Sequence, residues 1–471
     1  MKLDCFRLSC LFAFVLCLIP AYAQTDRHLL IRGNIVTPDG VVPHGWLDIE
    51  DGRILHIEHD RPDIPDAQVL ETSDLIFPGF IDLHNHPTFN IFPRWTPPKK
   101  FPNRYGWREW NVYQQQLESK GYALIGDPAN FCDIDEYVEV KALIGGTTSI
   151  IGIGDNNQPG HASGPSPDCL RGLVRNLDHY TGFYGHEVDH ERIANSIGIT
   201  ARDMDGNTAA RFKRQIADGT LDLLAIHIAE GLPTDPESAQ ELDLLDAHGL
   251  LGPHTALIHS VGLSPSQLGR VHRAGASIVW SPRSNFELYG TTANIAAAFR
   301  EGTTISLAPD WSPTGSDNTW EEIQYAHRVS DQHLNNLFTP RQLFEMASSI
   351  PARVAHIDNN VGTLAPGMKA DLFLVHDTPD GPASDFYDAI LAKPITAIDL
   401  VVIDGIPVYG DAKMLHSLEI ATEPLKVCGT EKALNSAALP NGPFAAVEAR
   451  LSAKMKASGS DLGPLDSCPT P

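Results

Sequence analysis

The chain has 471 residues, of which 42% are hydrophobic and 20% charged, and its formal net charge is −24 at pH 7. This composition is typical of a globular protein and excludes a chain that consists mainly of disordered, collagen-like or coiled-coil segments. The acidic balance excludes a nucleic-acid-binding protein, because such proteins need a basic face to neutralise phosphates.

Residues 1–23 have the pattern of a signal peptide. Lys2 and Arg7 precede the apolar run 11–19, and the segment ends with an A-x-A cleavage motif at residues 21–23. The apolar run is too short to span a bilayer, and no later stretch is long and apolar enough to do so. We therefore expect an exported protein, periplasmic or secreted, that has no membrane attachment after cleavage.

Four of the seven cysteines follow the signal peptide: Cys132, Cys169, Cys428 and Cys468. An even number of cysteines in an exported chain permits disulfides, and Cys428 and Cys468, in a stretch rich in Pro and Gly, are the favoured pair. None of the four belongs to a C-x-x-C motif, so we do not expect a cysteine-based zinc site.

Both ends of the mature chain contain short predicted strands. Segments 29–32, 46–50 and 53–58 precede the central region, segments 370–376 and 398–403 follow it, and Asp-Gly hairpin turns stand at 51–52 and 404–405. We interpret 24–76 and 356–416 as one small β-sandwich-like domain with the central region inserted, since chain ends commonly lie close together. Residues 417–471, rich in Ala, Pro, Gly and Ser, are predicted to form a partly ordered C-terminal tail.

Residues 77–355 alternate apolar strands with amphipathic segments, which predicts βα units around a parallel sheet. Two strands are expected between Tyr180 and Thr200, around Phe183 and Ile197. Six others are clear in the sequence: 75–83, 147–153, 221–228, 255–259, 276–280 and 303–307. Eight strands over about 280 residues match the size of a (β/α)8 TIM barrel, so the predicted fold class is α/β.

Polar residues stand at the ends of these strands. His84 and His86 lie two residues apart, so both side chains would point into the barrel at its C-terminal end, where two imidazoles form half of a zinc or iron site. Four further polar residues stand at later strand ends: His227, Glu230, His259 and Asp310. Because active sites of such barrels are built at this end, a single site there accounts for all six residues.

The segments that carry these residues resemble the amidohydrolase superfamily over residues 28–410. Within it they are similar to the mononuclear branch that includes cytosine deaminase, S-adenosylhomocysteine deaminase and the triazine hydrolases. The resemblance depends on Pro78-Gly-Phe-Ile-Asp-Leu-His-Asn-His86, on His227-Ile-Ala-Glu230, and on the segments 258–263, 281–288, 310–322 and 360–375.

The resemblance implies that His84, His86, His227 and Asp310 hold one divalent metal ion, zinc in the first instance, with iron and manganese as alternatives. It also implies that Glu230, His259 and Asp310 act as acid/base groups around the metal's water. The expected reaction is hydrolysis of C–N bonds other than peptide bonds in a small-molecule substrate. Deamination of a heterocycle and opening of a cyclic amide or amidine both fit.

Candidate substrate-binding residues follow the inner strands: Asn156, His186, Arg283 and Asn285. The loop after His86 is crowded with aromatic side chains: Phe89, Phe92, Trp95, Phe101, Tyr105, Trp107 and Trp110. Such a loop can cover a flat, apolar substrate, or it can pack against the barrel rim.

Two rival functions stay open at this stage. A binuclear amidase or peptidase needs a bridging ligand, and the one lysine between 155 and 220, Lys213, lies in a predicted helix; Glu187 is the alternative bridge. A periplasmic binding protein that has lost catalysis is the other rival, although the full set of ligands and acid/base groups argues against it. The sequence leaves homo-oligomerisation open.

Overall fold

The computed structural model describes residues 28–152, 173–177, 193–196, 200–376 and 386–468. Several sequence-based expectations fall outside these residues. They concern the signal peptide, Asn156, Cys169, the strand around Phe183, His186 and Glu187. Among the described residues, no helix combines the length and the apolar character needed to cross a membrane.

The described strands are, in chain order, β1 (Leu29–Thr37), β2 (Gly40–Glu50), β3 (Arg53–Glu58), β4 (Gln68–Pro78), β5 (Phe80–Asp82), β6 (Thr147–Ile150), β7 (Arg175–Asn176), β8 (Ile193–Ser196), β9 (Leu223–Ile228), β10 (Thr255–His259), β11 (Ser277–Trp280), β12 (Ile305–Leu307), β13 (Leu372–Val375), β14 (Ile398–Ile403), β15 (Ile406–Gly410), β16 (Thr422–Val427) and β17 (Thr430–Asn435).

The described α-helices are α1 (Arg104–Arg108), α2 (Asn111–Tyr113), α3 (Ser119–Ile125), α4 (Pro128–Leu143), α5 (Gly206–Ala217), α6 (Pro236–Ala247), α7 (Pro265–Ala274), α8 (Pro282–Tyr289), α9 (Ile295–Glu301), α10 (Thr319–His333), α11 (Pro340–Glu345), α12 (Ser349–Val354), α13 (Asp388–Ala392), α14 (Ala412–Ser417) and α15 (Phe444–Ala457).

Strands from both chain ends form one nine-stranded sheet in the order β16-β17-β15-β14-β13-β4-β1-β2-β3. Strand β4 joins the two ends, because it pairs in parallel with β1 and antiparallel with β13. Both expected Asp-Gly turns are present: all four of their residues have positive φ, as a two-residue hairpin turn requires. All nine strands are hydrogen-bonded in this one sheet, and the two-layered sandwich stays a prediction.

Residues 417–468 differ from the expected tail. Strand β17 pairs with β15 and β16, so the hairpin extends the nine-stranded sheet. Helix α15 packs on α4, with Val447, Leu451 and Met455 buried at intervals of four residues. This helical spacing is present in the sequence, within a stretch whose Ala- and Pro-rich composition is typical of a tail. The favoured disulfide, Cys428–Cys468, is formed.

Eight parallel strands, β5 to β12, carry the central region. They occur as a three-stranded group, β5-β6-β7, and a five-stranded group, β8-β9-β10-β11-β12. Just beyond the ends of β5 and β12, Asn85 and Asp310 pair in parallel, which places the first strand beside the last. This is a TIM-barrel-type α/β arrangement, as the sequence predicted.

Two details of the barrel differ from the sequence-based assignment. The expected strand 75–83 divides at Gly79, which lies between β4 and β5. A Cβ at this position would overlap the side chain of Thr148, so the close approach to β6 requires glycine. Strand β8 immediately precedes Ile197, around which a strand was expected, whereas β7 was not expected. Its two residues, Arg175 and Asn176, are polar, so no apolar run marks it.

Candidate active site

The strand ends bring six polar side chains together. His84 and His86 follow β5, His227 lies in β9 and Glu230 follows it, His259 ends β10, and Asp310 follows β12. The ring centroid of His84 lies 5.2 Å from that of His86, 4.8 Å from that of His227 and 5.0 Å from that of His259. All of these imidazoles therefore meet at one point at the C-terminal end of the barrel, as the sequence predicted.

The backbone at these strand ends is held in an uncommon conformation. Ala229, His259, Ser260 and Asp310 have φ values of 52°, 67°, 57° and 71°, in the left-handed region that non-glycine residues seldom adopt. Such residues cost about 1–3 kcal/mol each and cluster at functional sites. The backbone N–H of Asp310 donates to His84 O at 3.1 Å, and that of His86 donates to Asp310 O at 2.9 Å. These bonds fix three of the candidate ligands relative to one another.

The donor set fits a metal ion. Asp310 Oδ1 lies 2.9 Å from His84 Nε2 and 3.4 Å from His86 Nε2, and ligand atoms of His84, His86 and His227 all lie within 4.8 Å of one another. The buried Nδ1 atoms of His84 and His227 have no hydrogen-bond partner in the described part of the chain. Buried imidazole nitrogens are normally paired, and a bound cation supplies such a partner.

The protonation states also suit a metal site. Burial lowers the pKa of His86 and of His227 well below the ordinary range, and the positive charge of Arg104 contributes in both cases. Burial opposes ionisation of Asp310, but its electrostatic interaction and hydrogen bond with His84 outweigh this effect and hold its pKa below the ordinary range. Neutral imidazoles and an ionised carboxylate are the forms that bind metals.

Glu230 is held by two donors. Its Oε2 accepts from Arg104 Nη1 at 2.8 Å, and its Oε1 accepts from the Tyr289 hydroxyl at 2.7 Å. Burial, together with the charge of Glu230, raises the pKa of Tyr289 well above the ordinary range, so the phenol keeps its proton and donates it. Glu230 Oε1 also lies 3.8 Å from His259 Nε2, which places the carboxylate beside the histidine cluster.

Hydrogen bonds assign the tautomer of His259. Trp280 Nε1 donates to Thr292 Oγ1 at 2.7 Å, so the Thr292 hydroxyl donates onward to Asn285 Oδ1 at 3.0 Å. The Asn285 amide nitrogen then donates to His259 Nδ1 at 2.9 Å. Because burial lowers the pKa of His259 to about 4, the ring is neutral at pH 7 and carries its proton on Nε2, facing Glu230.

Arg104 and Tyr289 were not predicted from the sequence. Tyr289 lies four residues after Asn285 in α8, and residues at this spacing share a helix face. Extending the predicted helix beyond Asn285 would therefore have placed Tyr289 on the same face. Arg104 lies in the aromatic loop, 126 residues along the chain from its partner Glu230. No local pattern marks it.

The aromatic loop packs on the rim of the site. Phe89, Phe92, Phe101 and Trp107 are buried, and Trp107 Nε1 donates to the Tyr289 hydroxyl at 2.8 Å. Trp311, which follows Asp310, lies between this loop and the cluster: its ring centroid is 5.7 Å from that of His86 and 6.0 Å from that of Trp107. The loop therefore helps to enclose the histidines on the Asp310 side.

The predicted substrate-binding residues are placed as follows. Asn285 is buried against His259, as given above. Arg283 instead contacts the carboxylate of Glu321 and lies over the ring of Tyr325. Asn156 and His186 lie outside the described residues. Lys213, the candidate bridging lysine, is exposed in α5, as its helical pattern predicted.

Comparison with known proteins gives consistent matches. The model of the Amidohydrolase family matches residues 221–408. The chain is 24% identical to a 5-methylthioadenosine/S-adenosylhomocysteine deaminase of Desulfitobacterium hafniense, over 74% of this chain and 84% of that one. It is 22% identical to a 5'-deoxyadenosine deaminase of Methanothermobacter thermautotrophicus, over 81% and 92%. A zinc-bound adenosine deaminase structure from Xanthomonas campestris has the same fold, with a TM-score of 0.68, 15% identity, and coverage of 92% of this chain and 98% of that one.

Proposed function

We propose that this hydrolase of non-peptide C–N bonds removes the exocyclic amino group of a nitrogen heterocycle. The premise is that the chain belongs to the amidohydrolase family. The two relatives described above are named as deaminases of adenosine derivatives, and they match over most of their length. An amino-substituted purine or a similar flat ring is therefore the substrate class we favour.

One observation carries this proposal. Four imidazoles and two carboxylates meet at the C-terminal ends of parallel strands, and all but His86 are at most 3% exposed. Each buried titratable group costs free energy of desolvation. A barrel end with only a structural role would not require so many of them. A non-catalytic binding protein would not need Glu230 and His259 beside the ligand set.

His84, His86, His227 and Asp310 would hold one divalent metal ion. Imidazole and carboxylate ligands suit zinc, which we favour, as well as iron and manganese. When bound, such an ion supplies the Lewis acidity that makes a water molecule nucleophilic near neutral pH.

Glu230 is suited to carry the proton. In the hydrolysis a C–O bond forms to the ring carbon and the C–N bond breaks, so one proton must move from the attacking water to the departing nitrogen. An ionised carboxylate takes that proton and passes it to the amine, which leaves as ammonia. Its position beside His259, three residues beyond His227, supports this role.

His259 acts as a hydrogen-bond donor rather than as a base in this proposal. Asn285 occupies its Nδ1, so the proton on Nε2 points towards Glu230 and the centre of the cluster. A neutral imidazole N–H stabilises negative charge that develops on an oxygen during attack. In this proposal His259 therefore orients the water, and Glu230 transfers the proton.

Export remains part of the proposal. The Cys428–Cys468 disulfide, and a further disulfide at Cys132, fit an oxidising compartment. Expression of the full chain in a bacterium, followed by N-terminal sequencing of the protein recovered outside the cytoplasm, should give a chain that begins at Gln24. Recovery of only full-length protein in the cytoplasm would contradict export.

The substrate proposal is tested with the purified metal-loaded protein on three panels: amino-substituted purine nucleosides and bases, cyclic amides, and N-acyl compounds. Ammonia and new carboxylate are scored separately. We expect the first panel to release ammonia. In the Glu230→Gln variant, turnover should fall by about 10³-fold while the metal stays bound. Carboxylate without ammonia would instead support ring opening. Absence of both would favour the binding protein, and unchanged turnover in the variant would overturn the role of Glu230.

A further inference from the structure

The loop after the first barrel strand is joined to the residue that we propose as the proton carrier. Arg104 N donates to Glu230 O at 2.8 Å, Leu232 N donates to Pro102 O at 2.7 Å, and Asn103 pairs antiparallel with Gly231. Residues 102–104 and 230–232 therefore form a short ladder whose register places the side chains of Arg104 and Glu230 next to each other.

The two backbone segments of the ladder approach each other closely at Gly231. A Cβ at this position would lie 2.3 Å from Ser238 Oγ and 2.7 Å from Asn103 Cβ. The close approach of the two backbones thus depends on glycine, and it sets the distance from which Arg104 reaches the carboxylate.

The ion pair of Arg104 differs from that of its neighbour Arg108. Both arginines lie in α1, but Arg108 is 3.3 Å from Glu118 at a position where its side chain is 32% exposed, whereas the Arg104 side chain is 5% exposed and that of Glu230 is 3% exposed. Exposed pairs contribute little, because solvent screens them and both side chains can rotate away. A buried pair fixes the orientation of both partners.

We propose that Arg104 is a positioning residue that holds the Glu230 carboxylate in the orientation needed for proton transfer, with Tyr289 holding the second oxygen. The inference builds on the proposed function, since it assigns a role towards the same carboxylate. It makes the aromatic loop a part of the catalytic apparatus as well as a cover, because the loop carries Arg104, and Trp107 of the same loop donates to Tyr289.

The kinetic test compares Arg104→Met, Arg104→Lys, Glu230→Gln and the double variant Arg104→Met/Glu230→Gln, with Arg108→Met as the matched control. We expect Arg104→Met to lower kcat by about 10- to 100-fold while KM stays within about threefold and the metal content is unchanged. Arg104→Lys should be intermediate and Arg108→Met unchanged. A further variant, Arg104→Ala, leaves space for a small cation, and added guanidinium ion should restore part of its activity.

Non-additivity distinguishes positioning from a general structural effect. If Arg104 acts through Glu230, the double variant is no slower than Glu230→Gln alone. Two losses that multiply in the double variant, or a loss in Arg104→Met that follows metal loss or unfolding, would overturn the inference.

A second readout does not depend on turnover. The Arg104→Met substitution removes one of the two hydrogen-bond donors to the buried Glu230 carboxylate. The thermal unfolding midpoint of this variant should therefore fall more than that of Arg108→Met. Adding Glu230→Gln should then cause little further decrease. Additive decreases in midpoint would overturn the coupling. If the wild-type protein hydrolyses no compound tested, the proposed function fails, and this unfolding cycle still decides whether Arg104 and Glu230 are coupled.

Discussion

Glu241 shows how a single residue outside the candidate ligand set supports the site. Its Oε2 accepts from Ala229 N at 2.6 Å, and its Oε1 accepts from the Tyr105 hydroxyl at 2.5 Å. Ala229 has a φ of 52° and stands between His227 and Glu230. The carboxylate of Glu241 therefore helps to hold the strained turn that presents a candidate ligand and the proposed proton carrier.

Glu241 predicts a pH dependence of stability. Burial raises its pKa from 4.5 to about 7, although the hydrogen bonds from Tyr105 and Ala229 oppose this shift. Because the folded protein binds the proton more tightly than the unfolded chain, this contribution is complete below about pH 4.5 and is lost as the pH rises to about 7. The loss amounts to about 3 kcal/mol across that window.

Glu241→Gln removes this dependence, because the amide does not titrate. Denaturant unfolding at pH 5 and pH 8 should show a smaller difference in the free energy of unfolding for the variant than for the wild type. The exposed Glu237 of the same helix, changed to Gln, serves as the control and should leave the difference as it is. An equal pH dependence in wild type and Glu241→Gln would contradict the assignment.

At the scale of elements, the sequence indicates which strands carry the site, because side-chain alternation places His84 and His86 on one side and apolar runs end at His227 and His259. It does not indicate how loops meet across the barrel mouth. The pairing of 102–104 with 230–232 joins segments that are far apart in the chain, and their side chains follow no period. The division of one apolar run at Gly79 is also hidden, since no local pattern marks the close approach of Gly79 to Thr148.

The close approach at Gly231 gives a test at this scale. Gly231→Ala should destabilise the protein by about 1–3 kcal/mol, because the added Cβ meets Ser238 and Asn103 in a packed region. Gly252→Ala is the matched control, since a Cβ there meets no heavy atom within 4 Å and should change stability by less than about 0.5 kcal/mol. Equal midpoints of denaturant unfolding for both variants would argue against the ladder.

For the whole molecule, the C-terminal segment links distant parts of the fold. Gly463 N donates to Ile91 O at 2.7 Å, and Ser467 N donates to Asp317 Oδ2 at 2.7 Å. Ile91 follows the candidate ligand His86, and Asp317 follows the candidate ligand Asp310 along the chain. The Cys428–Cys468 disulfide anchors this segment to the hairpin β16–β17, which belongs to the nine-stranded sheet.

Removal of the disulfide should therefore weaken the whole protein. The two cysteines are 40 residues apart, and closing a loop of this length restricts the unfolded chain. We expect Cys428→Ser/Cys468→Ser to lose about 2–4 kcal/mol in denaturant unfolding. Serine variants are preferred to a reducing agent, because Cys132 is also disulfide-bonded and would be reduced as well. An unchanged free energy of unfolding would show that the segment stays docked without the bond.

The central claim, a deaminase that uses one metal ion, is tested most directly by stoichiometric reconstitution. The protein is stripped of metal with a chelator, and zinc is added back in fractions of an equivalent while ammonia release from an amino-substituted purine nucleoside is followed. Activity should rise linearly to one zinc per chain and then stay constant, and His84→Ala should neither bind the zinc tightly nor release ammonia. A plateau at two equivalents would indicate a binuclear site, and ammonia release by the metal-free protein would contradict the account.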